Sequence, residues 1–309
     1  MILTVTLNPC IDKTIFVKEN IPGEFIRATD LKMITGGKGN NVARALKNFG
    51  YDVLALTMVG GLEGQLAIKL LDDEGIKNVP IWIRGRTREI ITVLETESNR
   101  QTAYFEPPPC IDDGEKQELM KTYKELVKES ELVILSGSVS HGNLDTIYFE
   151  MINYAKRFGI KTILDSRDEA LKHGMKAAPY LIKPNIRETE VVLNKKISSH
   201  EDMLISLDCF ESLGIEIIVL SLGEKGALVR NRGVTYRAIP PDVNTINPVG
   251  SGDSMVAGIA MGIIDGFDLV EIIKLGMAAG AANASIWDAA CITKEQVSTL
   301  LVKTKVELV

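Results

Sequence analysis

The chain alternates two kinds of hydrophobic segment, and that alternation limits its fold more than any other feature. Short β-rich apolar runs such as "MILTVTL" and "VLALTMVG" are separated by stretches with apolar residues at helical spacing. In "NNVARALKNFGY" these residues are Val42, Ala45, Leu46 and Phe49, and Gly50 ends the run. "GLEGQLAIKLLDDEG" repeats the helical pattern. From "EKQELMKTYKELVKES" the rhythm continues through strands "LVILSG", "KTILD", "YLIKPN" and "EIIVLS", with helices expected over 144–158, 168–175, 186–194 and 200–213. "GALVRN" and "GVTYRAI" read as a hairpin, and 251–286 as closely packed helices rich in small residues. Strands alternating with helices predict βαβ units, and so a mostly parallel sheet covered on both faces.

One block breaks the rhythm. "IWIRG", "REIITVLET" and "RQTAYFE" are β-rich, separated by polar turns, with no helix between them. They predict a small antiparallel sheet formed by about 79–106, joined by residues 12–33, and interrupting a single domain that spans 1–309. No internal repeat or low-complexity tract is present.

Composition excludes several classes. The net charge of −6, without a basic block, argues against a nucleic-acid partner. Cys10, Cys110, Cys209 and Cys291 lack metal-ligand spacing and are expected to be small buried hydrophobes. His141, at the end of a predicted strand, is expected at a cleft edge. The amino terminus lacks signal-peptide character, and no apolar run reaches the ~20 residues a bilayer span needs, so no membrane association and a cytoplasmic location are expected.

The chemistry concentrates in glycine-rich turns. In "NPVGSGDS", Gly250, Ser251 and Gly252 lead into a helix, where free backbone N–H groups and the helix dipole favour an anion. Asp253 sits inside that turn. Phosphoryl transfer to an alcohol needs such a base beside the attacking oxygen and donors around the developing charge. An ordinary helix cap is the other reading of Asp253. "GGKGNN" is a second such turn, with Lys38 as a point charge and Asn40 and Asn41 as amides suited to a polyhydroxylated or phosphorylated acceptor. It is not a Walker A sequence, because no Lys-Ser or Lys-Thr follows its glycines. In "KPNIRETE", Asn185 and Glu188 fit either a magnesium site working through water or a capping box.

"GGKGNN" and "NPVGSGDS", with "KPNIRE" and "SLGEKGALV" in order between them, resemble the ribokinase-like (pfkB) carbohydrate kinase family. "TVTLNPCIDKT" and "TREIITVLE" resemble its phosphosugar branch of 1-phosphofructokinases and tagatose-6-phosphate kinases, and the similarity runs over essentially the whole chain. The resemblance implies a three-layer α/β/α fold with a small β-sheet lid over the sugar, often a homodimer contact. It implies ATP and Mg2+, with Asp253 as catalytic base and Gly250–Gly252 as anion hole. Asn185 and Glu188 would organise magnesium and phosphate, and Lys183, Ser221, Gly223, Gly226 and Asn283 would border the nucleotide. Asp12, Gly37, Lys38, Gly39 and Asn41 would hold the sugar.

The acceptor follows from Arg88 in "RGRTRE". A guanidinium fork matches phosphate oxygens, and the resemblance assigns Arg88 to the acceptor's phosphate, with Arg84 and Arg86 as solvated turn residues and Arg27 as a helper. The expected reaction is phosphorylation of fructose 1-phosphate or tagatose 6-phosphate to a ketohexose bisphosphate. Pro107–Pro109 stand where these kinases usually carry Pro-Gly, which leaves the choice between the two open. A neutral-sugar or nucleoside kinase, or an inactive binding protein on the same fold, are the other readings.

Overall fold

The computed structural model describes residues 1–98 and 100–309, with the backbone alone at 141 and 142. The amino-terminal half contains β1 (Ile2–Thr6), β2 (Cys10–Val17), β3 (Asp30–Gly36), α1 (Lys38–Asn48), β4 (Val53–Val59), α2 (Gly61–Asp73), β5 (Lys77–Trp82), β6 (Arg88–Glu95) and β7 (Gln101–Phe105). The middle contains β8 (Cys110–Ile111), α3 (Asp113–Leu126), β9 (Leu132–Ser136), β10 (His141–Gly142), α4 (Ile147–Lys156), β11 (Lys161–Asp165), α5 (Asp168–Met175) and β12 (Leu181–Ile182). Then come α6 (Ile186–Leu193), α7 (His200–Glu211), β13 (Ile217–Ser221), β14 (Ala227–Asn231), β15 (Val234–Ile239), α8 (Ser251–Ile264), α9 (Leu269–Ala284), α10 (Lys294–Leu301) and β16 (Lys305–Leu308).

Ten strands form the central sheet in the order β16-β15-β14-β13-β12-β11-β9-β1-β4-β5. Pairing is parallel from β13 to β5 and antiparallel from β13 to β16. The two-residue period of each strand feeds two cores. Ile2, Leu132, Ile134, Ile163, Ile217 and Val219 pack toward α1, α8, α9 and α10. Leu3, Val133, Leu135, Leu164, Ile218 and Leu220 pack on the other face toward α3, α4, α5 and α7. The result is the three-layer α/β/α architecture. On one face α8 and α9 approach so closely that a Cβ at Gly258 would lie 2.5 Å from the Leu275 carbonyl oxygen. The small residues of this stretch are there for backbone proximity, as its composition implied.

The small sheet has four strands in the order β3-β2-β6-β7. Two expectations about it need correction. Residues 79–82 belong to β5, the edge of the central sheet, where Ile81 joins a main core. The run follows α2 as the second strand of a βαβ unit, and Pro80 is tolerated there because an edge strand needs fewer donors. The sheet is also not wholly antiparallel, since β2 pairs with β6 in parallel, Cys10 opposite Arg88. Between these strands the chain travels through α1, β4, α2 and β5, so it returns by a crossover and not by a hairpin. The β-strand lid core is therefore 10–17, 30–36, 88–95 and 101–105. Cys110 and Cys209 are exposed, against the expectation of burial, while Cys10 is buried. The His141 side chain lies outside the described residues.

Candidate active site

The turns that carry polar residues gather at the C-terminal ends of β1, β9, β11 and β12, the edge where open α/β sheets bind ligands. The start of α8 comes to the same place. Its cap residue Gly250 has φ 86°, and no side chain caps the helix. The backbone N–H groups of Gly252 and Asp253 find no acceptor among the described residues, which leaves them facing outward for an anion. At Gly250 a side chain is excluded, since a Cβ would lie 2.9 Å from the Ala289 Cβ; at Gly252 a Cβ would lie 3.2 Å from Lys183 Nζ, so the lysine would have to shift.

Asp253 is the third residue of α8 and is 6% exposed. It does not cap the helix, which removes that alternative. Its Oδ2 instead accepts a 2.8 Å hydrogen bond from Asn41 Nδ2. Burial pushes its pKa up to about 6, and Asp165 adds to the rise; Lys38, the Asn41 bond and Lys183 oppose it.

Asn41 reaches Asp253 from the first turn of α1, which starts in "GGKGNN" and has Gly37 at φ 105° as its uncapped N-terminus. The two asparagines of that motif do different things. Asn40 is turned inward, accepting from Thr6 Oγ1 at 3.1 Å and donating to the Gly36 carbonyl, so it fixes the turn against β1. Gly39 fits against the same strand, where a Cβ would lie 2.4 Å from Thr6 Oγ1. Lys38 sits between carboxylates, 3.0 Å from Asp165 and 3.7 Å from Glu188. Burial works to lower its pKa, but Asp165, Glu188 and Asp253 together outweigh burial and hold the ammonium above the ordinary lysine value.

Asp165 was not singled out from the sequence, and it organises the site. It ends β11, is fully buried, and lies 3.0 Å from Lys38 Nζ and 3.3 Å from Lys183 Nζ. Burial would raise its pKa; the two ammonium groups reverse that and hold it below the usual carboxylate range. A carboxylate at the C-terminal end of a predicted parallel strand, in "KTILD", is the signal that could have found it.

Asn185 and Glu188 form the capping box of α6: Asn185 Oδ1 accepts from the Glu188 N–H, and Glu188 Oε2 accepts from the Asn185 N–H, each at 2.9 Å. Glu188 Oε1 remains, turned toward Lys38. Among the described residues no cluster of three His, Cys, Asp or Glu could hold a metal by itself. One carboxylate oxygen beside an anion site does fit magnesium, which keeps waters and takes phosphate oxygens for much of its shell.

The expected nucleotide residues separate. Lys183 lies beside the Gly252 turn, and exposed Gly223 has open space around it. Ser221 ends β13 and its hydroxyl lies 3.3 Å from the Pro184 carbonyl. Asn283 and Gly226 depart from expectation. Asn283 is 1% exposed, and its amide is consumed internally by Val249, Ser251, Ser254 and Ala290. It braces the Gly250 turn from behind. Gly226 is buried, and a Cβ there would lie 2.0 Å from the Ala238 carbonyl oxygen, so packing against β15 explains the glycine.

At the lid end, Asp12 on β2 lies over Gly36, where a Cβ would come within 2.0 Å of Asp12 Oδ2. Burial raises its pKa, while the bond from Cys10 and the charges of Arg44 and Arg88 lower it. Arg88 Nη2 is 3.5 Å from the Asn8 carbonyl, and its buried Nε has no partner. No carboxylate lies within 4.0 Å of this guanidinium among the described residues, whereas Arg84 pairs with Asp112 and Arg86 with Glu63 and Glu106. Arg88 lines a cavity of about 330 Å³ together with Gly85, Pro107, Pro109 and Cys110. Asn8, whose carbonyl faces Arg88, donates a 3.1 Å hydrogen bond to Ser138 Oγ; neither residue was expected from sequence.

A buried base at an open helix N-terminus, flanked by two ammonium groups, is the equipment of phosphoryl transfer. The family model for pfkB carbohydrate kinases matches residues 5–287, and the chain belongs to that family. It is 36% identical over 289 residues to a tagatose-6-phosphate kinase of Staphylococcus epidermidis, covering 92% of each chain. Among solved structures, Escherichia coli phosphofructokinase-2 in complex with potassium is similar at a TM-score of 0.90 and 27% identity, covering 97% of this chain and 98% of that one. A possible 1-phosphofructokinase of Thermotoga maritima is similar at a TM-score of 0.92 and 25% identity, covering 100% and 99%.

With a pKa raised to about 6, Asp253 is ionised above that pH and protonated below it. A reaction that uses it as base is expected to lose half its rate near pH 6 and about tenfold more with each further unit. A pH–rate profile of kcat/KM, which reports the groups of the free enzyme, checks this, and a profile flat down to pH 5 would count against Asp253 as the base.

Proposed function

We propose that the protein transfers the γ-phosphoryl group of ATP to a hydroxyl of a phosphorylated ketohexose, fructose 1-phosphate or tagatose 6-phosphate, giving a ketohexose bisphosphate and ADP. The observation that carries this reading is Asp253, buried at the uncapped start of α8 between Lys38 and Lys183; Arg88 on the small sheet, without a carboxylate partner among the described residues, supports a phosphorylated acceptor. The similarity to a tagatose-6-phosphate kinase and to a possible 1-phosphofructokinase supports it.

In this reading Asp253 takes the proton of the attacking hydroxyl as that oxygen bonds to the γ-phosphorus and the bridge to the β-phosphate breaks. The N–H groups of Gly252 and Asp253, with Lys38 and Lys183, face the charge that builds on the transferring group. Asp12 and Asn41 orient the sugar, and Arg88 holds its existing phosphate. Gly223 borders the nucleotide. A magnesium ion, when bound, neutralises phosphate charge; Glu188 Oε1 would hold it, with Asn185 acting through water.

The lid supports a homodimer. By register Leu31, Ile15 and Val93 share a face with Met33, Ile91 and Tyr104, and Leu31 is 49% and Tyr104 59% exposed. A second lid would cover this apolar face. Sedimentation is expected to give a dimer that becomes monomeric on Leu31→Lys with Met33→Lys; a monomeric wild type at micromolar concentration would remove the proposal.

Arg88→Ala should raise KM for the phosphorylated sugar by about one to two orders of magnitude, since a charged hydrogen bond is worth roughly 1.5–3 kcal/mol, with KM for ATP little changed. A panel of ketohexose phosphates, ribose and adenosine is the assay. An unchanged sugar-phosphate KM, or preference for the neutral substrates, would turn the reading toward a neutral-sugar kinase.

Glu188→Gln separates metal from cap. Glutamine still serves at that capping position, so a capping role alone leaves the magnesium dependence as in wild type. A metal role predicts a raised magnesium requirement at unchanged thermal stability. Turnover against free magnesium for both proteins decides between them.

A further inference from the structure

Arg44 belongs to none of the motifs, yet it is 2% exposed in the middle of α1. Burying a guanidinium is unfavourable unless its donors are used, and here they are used in three directions. Nε and Nη2 form a fork with the Glu74 carboxylate at the end of α2. Nη2 also donates to the Thr35 carbonyl of β3 at 2.7 Å. Nη1 donates to Asn41 Oδ1 at 2.8 Å, one turn earlier on the same helix face.

Asn41 has one accepting and one donating side, and rotating the amide by half a turn exchanges them. A guanidinium can only donate. While Arg44 holds Oδ1, the NH2 must point the other way, to Asp253 Oδ2 at 2.8 Å. Without Arg44 the flipped amide would present oxygen to the Asp253 carboxylate, which disfavours the ionised form.

We propose that Arg44 is a positioning residue for the catalytic base: anchored by Glu74 and the β3 carbonyl, it fixes the Asn41 amide in the orientation that donates to Asp253. The inference rests on the assignment of Asp253 as base. It also ties the base to the seating of β3, a strand of the lid sheet, through Thr35. The charged groups facing Asp253 are Lys38 from α1, Asp165 from the end of β11 and Lys183 beyond β12, and none of them changes in the variants below. Asp12 also feels the charge of Arg44, so a route through Asp12 has to be separated from the route through Asn41.

The test uses the full chain with ATP, magnesium and its best sugar phosphate, recording kcat, both KM values and thermal stability from pH 5 to 9. Arg44→Gln is expected to lower kcat by about ten- to a hundredfold at pH 6.5 and to leave KM for ATP unchanged. Its acid limb should move up by about one pH unit. Arg44→Lys, which keeps the charge and a donor, should recover part of kcat and serves if Arg44→Gln does not fold. In an Asn41→Ala background, Arg44→Gln should lower kcat no further, because the group it acts through is gone. Full additivity there, or a loss of stability with the acid limb unmoved, would overturn the inference in favour of a route through Asp12 or a purely structural tie. Asp253→Asn separates the two levels. Retained turnover in that variant refutes the base assignment itself, whereas an inactive Asp253→Asn beside an unmoved limb in Arg44→Gln refutes the positioning role alone.

Discussion

The site depends on one buried carboxylate. Asp165 is fully enclosed at the end of β11 and is held between the ammonium groups of Lys38 and Lys183. Neither lysine could be kept beside the other at the mouth of α8 without it, because like charges repel strongly where water is scarce. The ion pairs hold Lys183 beside the Gly252 turn and keep both amines close enough to act on the charge of Asp253. Removing one member of such a buried set typically costs about 3–5 kcal/mol, since the remaining charges are left uncompensated. Both ammonium groups are thus anchored to a residue at the end of a central strand.

The same economy of placement governs the first turn of α1. Adjacent asparagines point in opposite directions: Asn40 fastens the turn to β1 through Thr6, while Asn41 looks across to α8. One residue secures the geometry that the other uses. Asn283 does the equivalent for the opposing turn, clamping Val249, Ser251 and Ser254 from inside the protein. Each of these two helix starts is therefore backed by a buried amide.

Much of this was legible in the chain. The alternation of strand and helix periods gave the layered fold, because each period names the faces that must be buried. The glycine turns drew attention to Gly250–Asp253 and Gly37–Asn41, which the Asn41–Asp253 hydrogen bond joins. What stayed hidden depends on long-range pairing. Residues 77–82 read equally well as lid or as central edge strand, since Lys-Asn-Val-Pro-Ile-Trp carries no label for its partner. The internal contacts of Asn283 and Gly226, with Ala290 and Ala238, were equally hidden, because burial is not written in a local window. Asp165 was hidden for the opposite reason: a lone acid after four strand residues is unremarkable until two distant lysines arrive beside it.

The crossover pairing in the lid has a consequence for how the molecule comes together. β2 and β6 lie side by side, Cys10 opposite Arg88, but between them the chain must build α1, β4, α2 and β5. Such a pair cannot nucleate as a hairpin does. The entropy of closing so long a loop is recovered once the intervening βαβ unit has already folded and brought the ends near. The two local pairs, β2 with β3 and β6 with β7, are therefore joined into one sheet only by a contact whose long loop the central βαβ unit closes.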